Sequence, residues 1–328
     1  MDARPRTNAE YILPLKWTED SGLEELCGYL EVLCTHLPVL VVDGSDEERF
    51  AAHGRAFPPA VRHCRPAHPE CLNGKVDGVL TGLDLTRAEY LIIADDDVRY
   101  TPSALSRVLA LLADADVVRP QNYFPAPLPW HAKWDTGRIL LNRAFGSDYP
   151  GTLGVRAELL RRTGGYSGDV LFENLELLRT VKAAGGREAR AGDLHIARLP
   201  CSARRFFSQR VRQAYDGLAQ PLRLSAELSL LPLLTWCLRR PRRLAGFAGI
   251  AVAAAEYGRR RSGGSRVFPP TAALWAPVWL SERAVCIWLA AVRRMGGGIP
   301  YSGTRIRTAA HSVVTLRREL RRGTDPVA

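Results

Sequence analysis

Several features that define whole classes of protein are missing from this 328-residue sequence. It has seven cysteines, an odd number, and no Cys-x-x-Cys pair, so we expect reduced thiols rather than a disulfide framework. The stretch Met1 to Glu10 is polar and contains no apolar core, so no signal peptide is expected. These absences favour a protein whose catalytic part stays in the cytoplasm.

Two nucleotide-binding signatures are also absent. Neither G-x-x-x-x-G-K-[S/T] nor G-x-G-x-x-G occurs, so ATPase and dehydrogenase functions lack their usual motif. A nucleotidyltransferase usually carries a glycine-rich, basic loop directly after its first strand, and the segment Lys16-Trp17-Thr18 does not supply one. Nucleotidyl transfer is therefore kept only as an alternative.

The sequence also lacks an uninterrupted apolar run long enough to cross a membrane. A spanning helix needs about 20 mostly apolar residues. Arg223 and Glu227 interrupt the first long apolar stretch, the second is too short, and Glu282 and Arg283 interrupt the third. The three stretches are 222–238, 244–257 and 271–292. We expect helices that lie in the membrane interface, or a shallow re-entrant hairpin, rather than spans.

Positive charge is concentrated in the C-terminal third of the chain. The net charge is +11, and from residue 221 onward there are 18 Lys and Arg against 5 Asp and Glu. Arginine clusters alternate there with apolar stretches and with four of the seven tryptophans. This mixture favours a membrane surface over nucleic acid as the partner of the region.

Apolar strands alternate with helical segments in the first hundred residues. Buried strands are predicted at Tyr11–Leu15, Pro38–Val42 and Tyr90–Ala94, with helical spacing of apolar residues between them. This alternation predicts an α/β fold with a parallel sheet. Asp43 and the triplet Asp95-Asp-Asp97 follow two of these strands, where ligands bind in open α/β sheets.

The three consecutive carboxylates Asp95, Asp96 and Asp97 repel one another unless a cation neutralises them. Mg²⁺ or Mn²⁺ is the expected cation, because these ions combine carboxylate ligands with diphosphate oxygens and water. Side-chain alternation places Asp95 and Asp97 on one side and Asp96 on the other. A solvated acidic turn is the structural alternative.

Three further segments carry candidate chemistry. Lys75 is predicted at a helix N-terminus, which suits an anion, or it is a surface lysine in a glycine-containing turn. Glu173 is predicted at a loop-to-helix junction, where it could act as a general base or simply favour the helix dipole. Arg210 and Arg212 could clamp a phosphate leaving group, or form the basic face of an amphipathic helix.

Residues 119–150 and the segment around Cys64 each allow more than one interpretation. The first is predicted to be a long ordered loop with one helix near Ile139–Ala144. In it Trp130, His131 and Trp134 are candidates for stacking on an acceptor or closing over a sugar, or they form a packed aromatic cluster. A zinc site is a weak alternative for four residues whose spacing fits no standard pattern, namely His63, Cys64, His68 and Cys71.

Taken in order, these motifs resemble the family 2 glycosyltransferases of the GT-A fold over about residues 9–217. The resemblance implies a Rossmann-like nucleotide-diphospho-sugar transferase fold. It further implies that Asp43 holds the nucleotide base, Lys75 lies near the nucleotide, Asp95 approaches the ribose or metal, and Asp97 ligates the metal.

The family's general base belongs to a Glu-Asp pair, and Glu173-Asn174 occupies its place here. Asparagine cannot accept a proton. The expected base is therefore Glu173, with Asp169 as the alternative. The implied reaction is inverting transfer of a sugar from a nucleoside diphosphate sugar to an acceptor hydroxyl.

The segment Gln209–Gln213 resembles the Gln-x-x-Arg-Trp motif of membrane-associated members of the family, with Gln213 in place of the Trp. Gln209 and Arg212 are accordingly expected in the catalytic machinery. Residues 218–328 are expected to form a basic, Trp-rich helical region at the cytoplasmic face of the cell membrane, peripheral or shallowly inserted, and the acceptor is expected to be a lipid or lipid-linked glycan. A non-catalytic membrane-associated binding module is the other alternative.

Overall fold

The computed structural model describes residues 8–20, 22–301 and 303–324. Most of the polar stretch Met1 to Glu10 lies outside the described residues. The chain divides into two compact units. The first unit contains the residues up to Arg119, Gly151–Ala189 and the residues from His311 onward, and the second contains Pro120–Pro150 and Arg190–Ala310. The boundary predicted after residue 217 divides a catalytic region from a membrane-associated region. It does not coincide with the division into compact units, and it stays a prediction.

The strands of the described chain are β1 (Ala9–Leu15), β2 (Val39–Asp43), β3 (Val61–Cys64), β4 (Tyr90–Ala94), β5 (Val98–Arg99), β6 (Val117–Tyr123), β7 (Thr152–Arg156), β8 (Glu188–Arg198), β9 (Ile299–Tyr301) and β10 (Thr304–Ile306). The α-helices are α1 (Leu23–Cys34), α2 (Glu47–Ala56), α3 (Gly74–Leu85), α4 (Pro102–Leu112), α5 (Trp130–Phe145), α6 (Ala157–Arg162), α7 (Glu173–Ala183), α8 (Ala203–Ser208), α9 (Arg210–Ala214), α10 (Pro221–Leu238), α11 (Pro241–Arg260), α12 (Ala276–Met295) and α13 (Val313–Thr324). Short 3₁₀ segments cover 215–219, 261–266 and 270–275.

A mixed eight-stranded sheet runs through the first unit, and the first six strands in its order are β3-β2-β1-β4-β7-β6. The first four of these strands are parallel, and β7 is antiparallel to both β4 and β6. Ile12 on β1 lies in register with Leu40 on one side and Ile93 on the other. The predicted α/β fold with parallel strands at its start is therefore confirmed.

Helix α3 packs closely on β1 because glycines face the strand. A β-carbon at Gly78 would lie 2.8 Å from Cβ of Pro14, and one at Gly82 would lie 2.8 Å from the side chain of Ile12. Contacts this short do not occur between real side chains, so only glycine allows this approach. The two glycines therefore set the distance between α3 and the sheet.

The second unit is built mainly of helices. Its hydrophobic core joins residues of α5, α11 and α12, including Leu140, Ala255 and Ala276. Helices α5 and α11 cross closely, since a β-carbon at Gly258 would overlap the carbonyl oxygen of Leu140. Among the described residues, no helix is both long enough and apolar enough to cross a membrane.

The structure differs from the prediction over residues 119–150. Strand β6 extends to Tyr123, and α5 runs for 16 residues from Trp130 instead of beginning near Ile139. The first half of α5 buries charge: Asp135 is buried, and it pairs with Arg138 at 3.0 Å. Buried polar residues remove the apolar periodicity by which a helix is predicted from sequence.

The charged residues inside the apolar stretches of the second unit face one another. Arg283 of α12 donates to Asp216 at 3.0 Å and to Glu227 of α10 at 3.4 Å. Arg223 of α10 donates to Glu227 at 2.8 Å. These charges interrupt the sequence pattern, yet they neutralise one another in the interior of the unit.

Candidate active site

The carboxyl ends of β2 and β4 place Asp43 and Asp95 at the same edge of the parallel part of the sheet. The position follows from topology, because neighbouring parallel strands end at one edge. Both residues were predicted here from the apolar runs that precede them.

Lys75 gathers the candidate acidic residues into one cluster. Its ammonium Nζ lies 2.5 Å from Oδ1 of Asp95, 2.7 Å from Oε1 of Glu173 and 3.5 Å from Oδ1 of Asn174. An ammonium has three donors, and these are three acceptors. The side chains of Lys75, Asp95 and Glu173 are each less than a quarter exposed. Burial disfavours the charged ammonium, but Asp95 and Glu173 outweigh it and raise the pKa of Lys75 above its usual range.

Asn73 fixes both segments that carry this cluster. Its side-chain oxygen caps α3 by accepting from the backbone N–H of Lys75 at 3.1 Å. Its amide nitrogen donates to the carbonyl of Val170 at 2.9 Å, and its backbone N–H donates to the carbonyl of Gly168 at 2.9 Å. The loop that leads into Glu173 is thereby held against the N-terminus of α3.

The acidic triplet divides between different partners. Asp96 accepts a hydrogen bond from the indole N–H of Trp17, while Asp95 contacts Lys75. Asp97 is half-buried. Asp96 therefore contacts Trp17, and Asp95 faces the cluster.

The carboxylates of this site fit a divalent cation only together with a substrate. Among the residues described, no group of three or more His, Cys, Asp or Glu side chains could hold a metal ion. Asp95 and Asp97 offer the hard oxygen ligands that Mg²⁺ and Mn²⁺ prefer. Gly151 leaves room for the carboxylate of Asp95, because a β-carbon at position 151 would lie 2.5 Å from Oδ2 of Asp95. The donor set thus suits a cation whose remaining ligands come from a diphosphate and water.

Asp43 has partners that the sequence did not indicate. Its Oδ1 accepts from the backbone N–H of Ser45 at 2.9 Å, and its Oδ2 lies 2.7 Å from Nδ1 of His53 and 3.2 Å from Nε2 of His63. Burial opposes ionisation, but the hydrogen bonds from His63, Ser45 and His53 outweigh it and hold the pKa of Asp43 below its usual range. Its predicted contact with a nucleotide base stays a prediction.

The four residues of the weak zinc hypothesis lie in different surroundings. His63 contacts Asp43, and His68 contacts Glu70 at 3.1 Å and Asp84 at 2.8 Å. Cys71 packs against Gly168, where a β-carbon would lie 2.6 Å from the sulfur. The structure gives this hypothesis no support.

Tyr166 is a buried residue of this site to which the sequence analysis assigned no role. Its hydroxyl finds no hydrogen-bond partner in the part of the chain that the structure describes. Burial raises the pKa of the Tyr166 phenol well above its usual range, and the charges of Glu173, Cys71 and Asp95 raise it further. Gly165 supports this position with a φ of +87° and would collide with Leu80 if it carried a side chain. The sequence Gly164-Gly165-Tyr166 is the signal that could have identified it.

His311 is a second residue near the Lys75 cluster to which the sequence analysis assigned no role. Its ring Nδ1 lies 2.8 Å from Oε1 of the buried Glu176, and its backbone N–H donates to Oε2 of the same carboxylate at 2.7 Å. Arg179 donates to the carbonyl of His311 at 2.7 Å. Since Glu176 follows Glu173 by three residues on α7, the segment that begins at His311 is attached directly beside the cluster. No sequence motif marks this contact.

Asp169, the alternative base, lies in the loop before α7. Its side chain is exposed, and its backbone N–H donates to Oγ of Ser167 at 3.3 Å. Glu173, in contrast, lies in the Lys75 cluster. The structure therefore brings Glu173, and not Asp169, into direct contact with Lys75.

In the second unit, the predicted aromatic residues form a cluster. Trp130 lies 6.3 Å from Trp134 and 5.7 Å from Phe207, measured between ring centroids. Trp130 and Phe207 are each about half exposed, at 46% and 54%. His131 is buried, and its Nε2 lies 2.7 Å from the carbonyl oxygen of Cys201. The cluster thus combines a packed interior with an exposed aromatic surface.

The two arginines of the Gln209–Gln213 segment have different surroundings. Arg210 is buried, with its guanidinium 3.2 Å from Asp135, 3.4 Å from Glu282 and stacked on Phe206. Arg212 lies over the ring of Tyr301 at 4.7 Å. Gln209 is half-buried at the junction of α8 and α9. Arg210 is therefore a structural residue of the second unit.

Comparisons with known proteins agree with this architecture. Residues 34–161 match the model of Glycosyl transferase family 2. No curated protein matches the sequence. A mannosyltransferase from Pyrobaculum calidifontis, solved in complex with GDP-Man and Mn²⁺, is similar with a TM-score of 0.50 and 19% sequence identity, covering 88% of this chain and 87% of that chain.

Two other solved structures are less similar. Mannosyl-3-phosphoglycerate synthase from Rubrobacter xylanophilus has a TM-score of 0.42 and 19% identity, over 66% of this chain and 75% of that chain. Glucosyl-3-phosphoglycerate synthase from Mycobacterium tuberculosis, in complex with Mn²⁺, UDP and phosphoglyceric acid, has a TM-score of 0.42 and 15% identity, over 61% and 73%. The family match and the GT-A-like α/β fold together support the conclusion that this protein is a glycosyltransferase that depends on a nucleotide sugar.

Proposed function

We propose that the protein transfers a sugar from a nucleoside diphosphate sugar to an acceptor hydroxyl with inversion at the anomeric carbon. The observation that carries the proposal is the cluster of Lys75, Asp95 and Glu173 at the carboxyl end of β4. In this cluster Lys75 is a cation that can bind a diphosphate, Asp95 is a carboxylate that can bind a metal, and Glu173 is a carboxylate that can accept a proton. The mannosyltransferase solved with GDP-Man and Mn²⁺ supports the same classes of donor and metal.

Asp95 and Asp97 would hold Mg²⁺ or Mn²⁺. When bound, such an ion neutralises charge that develops on a leaving diphosphate. Lys75 adds its own positive charge at the N-terminus of α3, where backbone N–H groups also favour an anion. These groups bind the donor and orient its diphosphate.

Glu173 is the proposed general base. It accepts the proton of the acceptor hydroxyl, while the hydroxyl oxygen forms the new bond to the anomeric carbon and the bond to the diphosphate breaks on the opposite face. Its carboxylate lies at the start of α7, within the Lys75 cluster. Asn174, beside it in sequence, cannot perform this step because an amide does not accept a proton at neutral pH.

The roles predicted for the second unit are part of the proposal. Arg212 and Gln209 are proposed to stabilise the leaving group, and Trp130 and Trp134 to stack on the acceptor. Support comes from the half-exposed ring of Trp130 and from the difference between buried Arg210 and half-buried Arg212. A kinetic comparison of Arg212→Ala with Trp130→Ala tests these two roles. Arg212→Ala should lower kcat, and Trp130→Ala should raise KM for the acceptor.

A membrane surface is the proposed partner of residues 218–328. Arg223 and Glu227 of α10 and Arg283 of α12 are paired in the interior, and the exposed side chains of these helices are largely apolar. Exposed members include Leu222, Trp236, Leu238, Trp288, Val292 and Met295. Arg239, Arg240 and Arg242 are exposed at the junction of α10 and α11. Apolar and aromatic side chains beside arginines suit the interface of an anionic bilayer.

This partner favours the cytoplasmic face of the cell membrane as location and a lipid or lipid-linked glycan as acceptor. Co-sedimentation with vesicles of phosphatidylglycerol and phosphatidylcholine tests it. Trp236→Ser combined with Arg239, Arg240 and Arg242→Ser should reduce binding, whereas Val32→Ser, at an exposed position of the first unit, should not. Equal binding by both variants would refute the membrane surface.

The reaction itself is tested with a panel of nucleotide sugars in the presence of Mn²⁺, by following free nucleoside diphosphate. Release that disappears in Asp97→Ala would support the transferase. Release of pyrophosphate from nucleoside triphosphates would instead favour a nucleotidyltransferase. If no nucleotide binds, the chain is a non-catalytic binding module.

A further inference from the structure

The ammonium of Lys75 contacts the same carboxylate, that of Asp95, to which the proposed function assigns the metal. Oδ1 of Asp95 lies 2.5 Å from Nζ of Lys75. Oδ2 lies in the space that the missing side chain of Gly151 leaves, since a β-carbon there would be only 2.5 Å away. One of the two oxygens of Asp95 is therefore already held by Lys75.

Lys75 is also restrained from the other side. Glu173 accepts from the same ammonium at 2.7 Å, and the cap at Asn73 fixes the backbone from which the side chain extends. Two carboxylates share one positive charge in a mostly buried site, so loss of that charge would leave them to repel each other. Two effects therefore oppose a metal ion that approaches Asp95. Asp95 is attracted to Lys75, and the ammonium of Lys75 repels the metal ion.

We propose that Lys75 is a positioning residue that competes with the divalent metal for Asp95. Before the donor binds, Lys75 neutralises Asp95 and Glu173 together and keeps the affinity for free metal low. With the diphosphate of the donor bound, Asp95 would be available to hold the metal, and the ammonium of Lys75 would remain with Glu173 and the phosphate oxygens. Metal and donor then bind with positive coupling, because the bound donor lowers the free-energy cost of binding the metal and the bound metal lowers that of binding the donor. The inference rests on the metal site of the proposed function.

The test measures Mn²⁺ binding to the enzyme without donor, by electron paramagnetic resonance of free Mn²⁺. Lys75→Met should bind Mn²⁺ with a Kd lower by about tenfold, within the usual range of coupling between two sites. Lys75→Arg keeps the positive charge and should stay close to the wild type. In an Asp95→Asn background, Lys75→Met should no longer change the affinity.

An unchanged or weaker affinity of Lys75→Met would overturn the inference. If the wild type still releases nucleoside diphosphate in a Mn²⁺-dependent reaction, the proposed function stands while the inference fails. If the wild type binds no Mn²⁺ with or without UDP or GDP, both the metal site and the inference fail. Circular dichroism checks that the variants fold, and Lys75→Gln replaces Lys75→Met if that variant does not.

Discussion

Arg283 of α12 donates to Glu227 of α10 across 3.4 Å in the interior of the second unit. The arginine is 1% exposed, and it also donates to Asp216. Two carboxylates from different elements thus share the guanidinium of Arg283, and both are also paired with Arg223. The pairing holds α10 against α12 through charge rather than through apolar contact alone.

Removal of this guanidinium should destabilise the protein strongly. Arg283→Ala leaves only Arg223 to pair with the buried Glu227 and the half-buried Asp216, and breaking a buried ion pair costs about 3–5 kcal/mol. The free energy of unfolding in urea measures the loss. Arg242→Ala, at an exposed position, is the control and should change it by less than about 0.5 kcal/mol. Equal effects at both positions would contradict a structural role for the pairing.

Glu173→Gln should lower kcat by at least about 100-fold, the usual minimum for loss of a general base. The amide keeps the size of the side chain, so binding of the nucleoside diphosphate, measured by calorimetry, should be retained. Asp169→Asn is the matched comparison and should leave most of the activity. If Asp169→Asn is the inactive variant, the base is Asp169 and Glu173 has another role.

Tyr166→Phe should raise the stability by about 1 kcal/mol, because a buried hydroxyl without a partner costs free energy that the phenyl ring does not. Tyr100 offers an equally buried control whose hydroxyl lies 2.9 Å from Oγ1 of Thr152. Tyr100→Phe should therefore lower the stability by about 1 kcal/mol. Urea unfolding of both variants gives the comparison, and a loss of stability in Tyr166→Phe would show that its hydroxyl has a partner.

The contact between His311 and Glu176 should make stability depend on pH. The hydrogen bond to Glu176 raises the pKa of His311 above 6.5, against the opposing effect of burial. A raised histidine pKa gives stability that is fully present below the unfolded-state value and is lost as pH rises through the folded-state value.

The wild type should accordingly exceed His311→Asn in unfolding free energy by more at acidic than at alkaline pH. Urea unfolding across the neutral range measures this difference. A difference for His311→Asn that stays constant with pH would remove the charged pair as its cause.

The elements of the first unit could be predicted well because their residues follow simple rules. The apolar run Tyr90–Ala94 forms the strand that was predicted there, and Thr101 caps α4 as its position before Pro102 indicates. The helix predicted within α5 is too short because α5 buries Asp135 in an ion pair with the half-buried Arg138. Buried ion pairs hide a helical face from any method that relies on apolar spacing.

The site was only partly predictable for a similar reason. Lys75 and Glu173 were each identified from their local position, but the contact between them joins residues 98 positions apart. The two histidines on Asp43 approach it from α2 and β3, and no spacing in the sequence marks that meeting. Local chemistry indicates which residues are candidates, and tertiary structure decides which of them share a proton or a charge.

The hydrogen bond from Asn73 to Val170 has a consequence for folding. It connects residues 97 positions apart, so it forms only after the intervening strands and helices have come together. Contacts between distant segments form late and slowly, because closing the loop costs chain entropy before the new contacts stabilise the structure. A chain still being synthesised therefore has no assembled Lys75 cluster until the residues beyond Glu173 have emerged, and the candidate active site is complete only in the folded first unit.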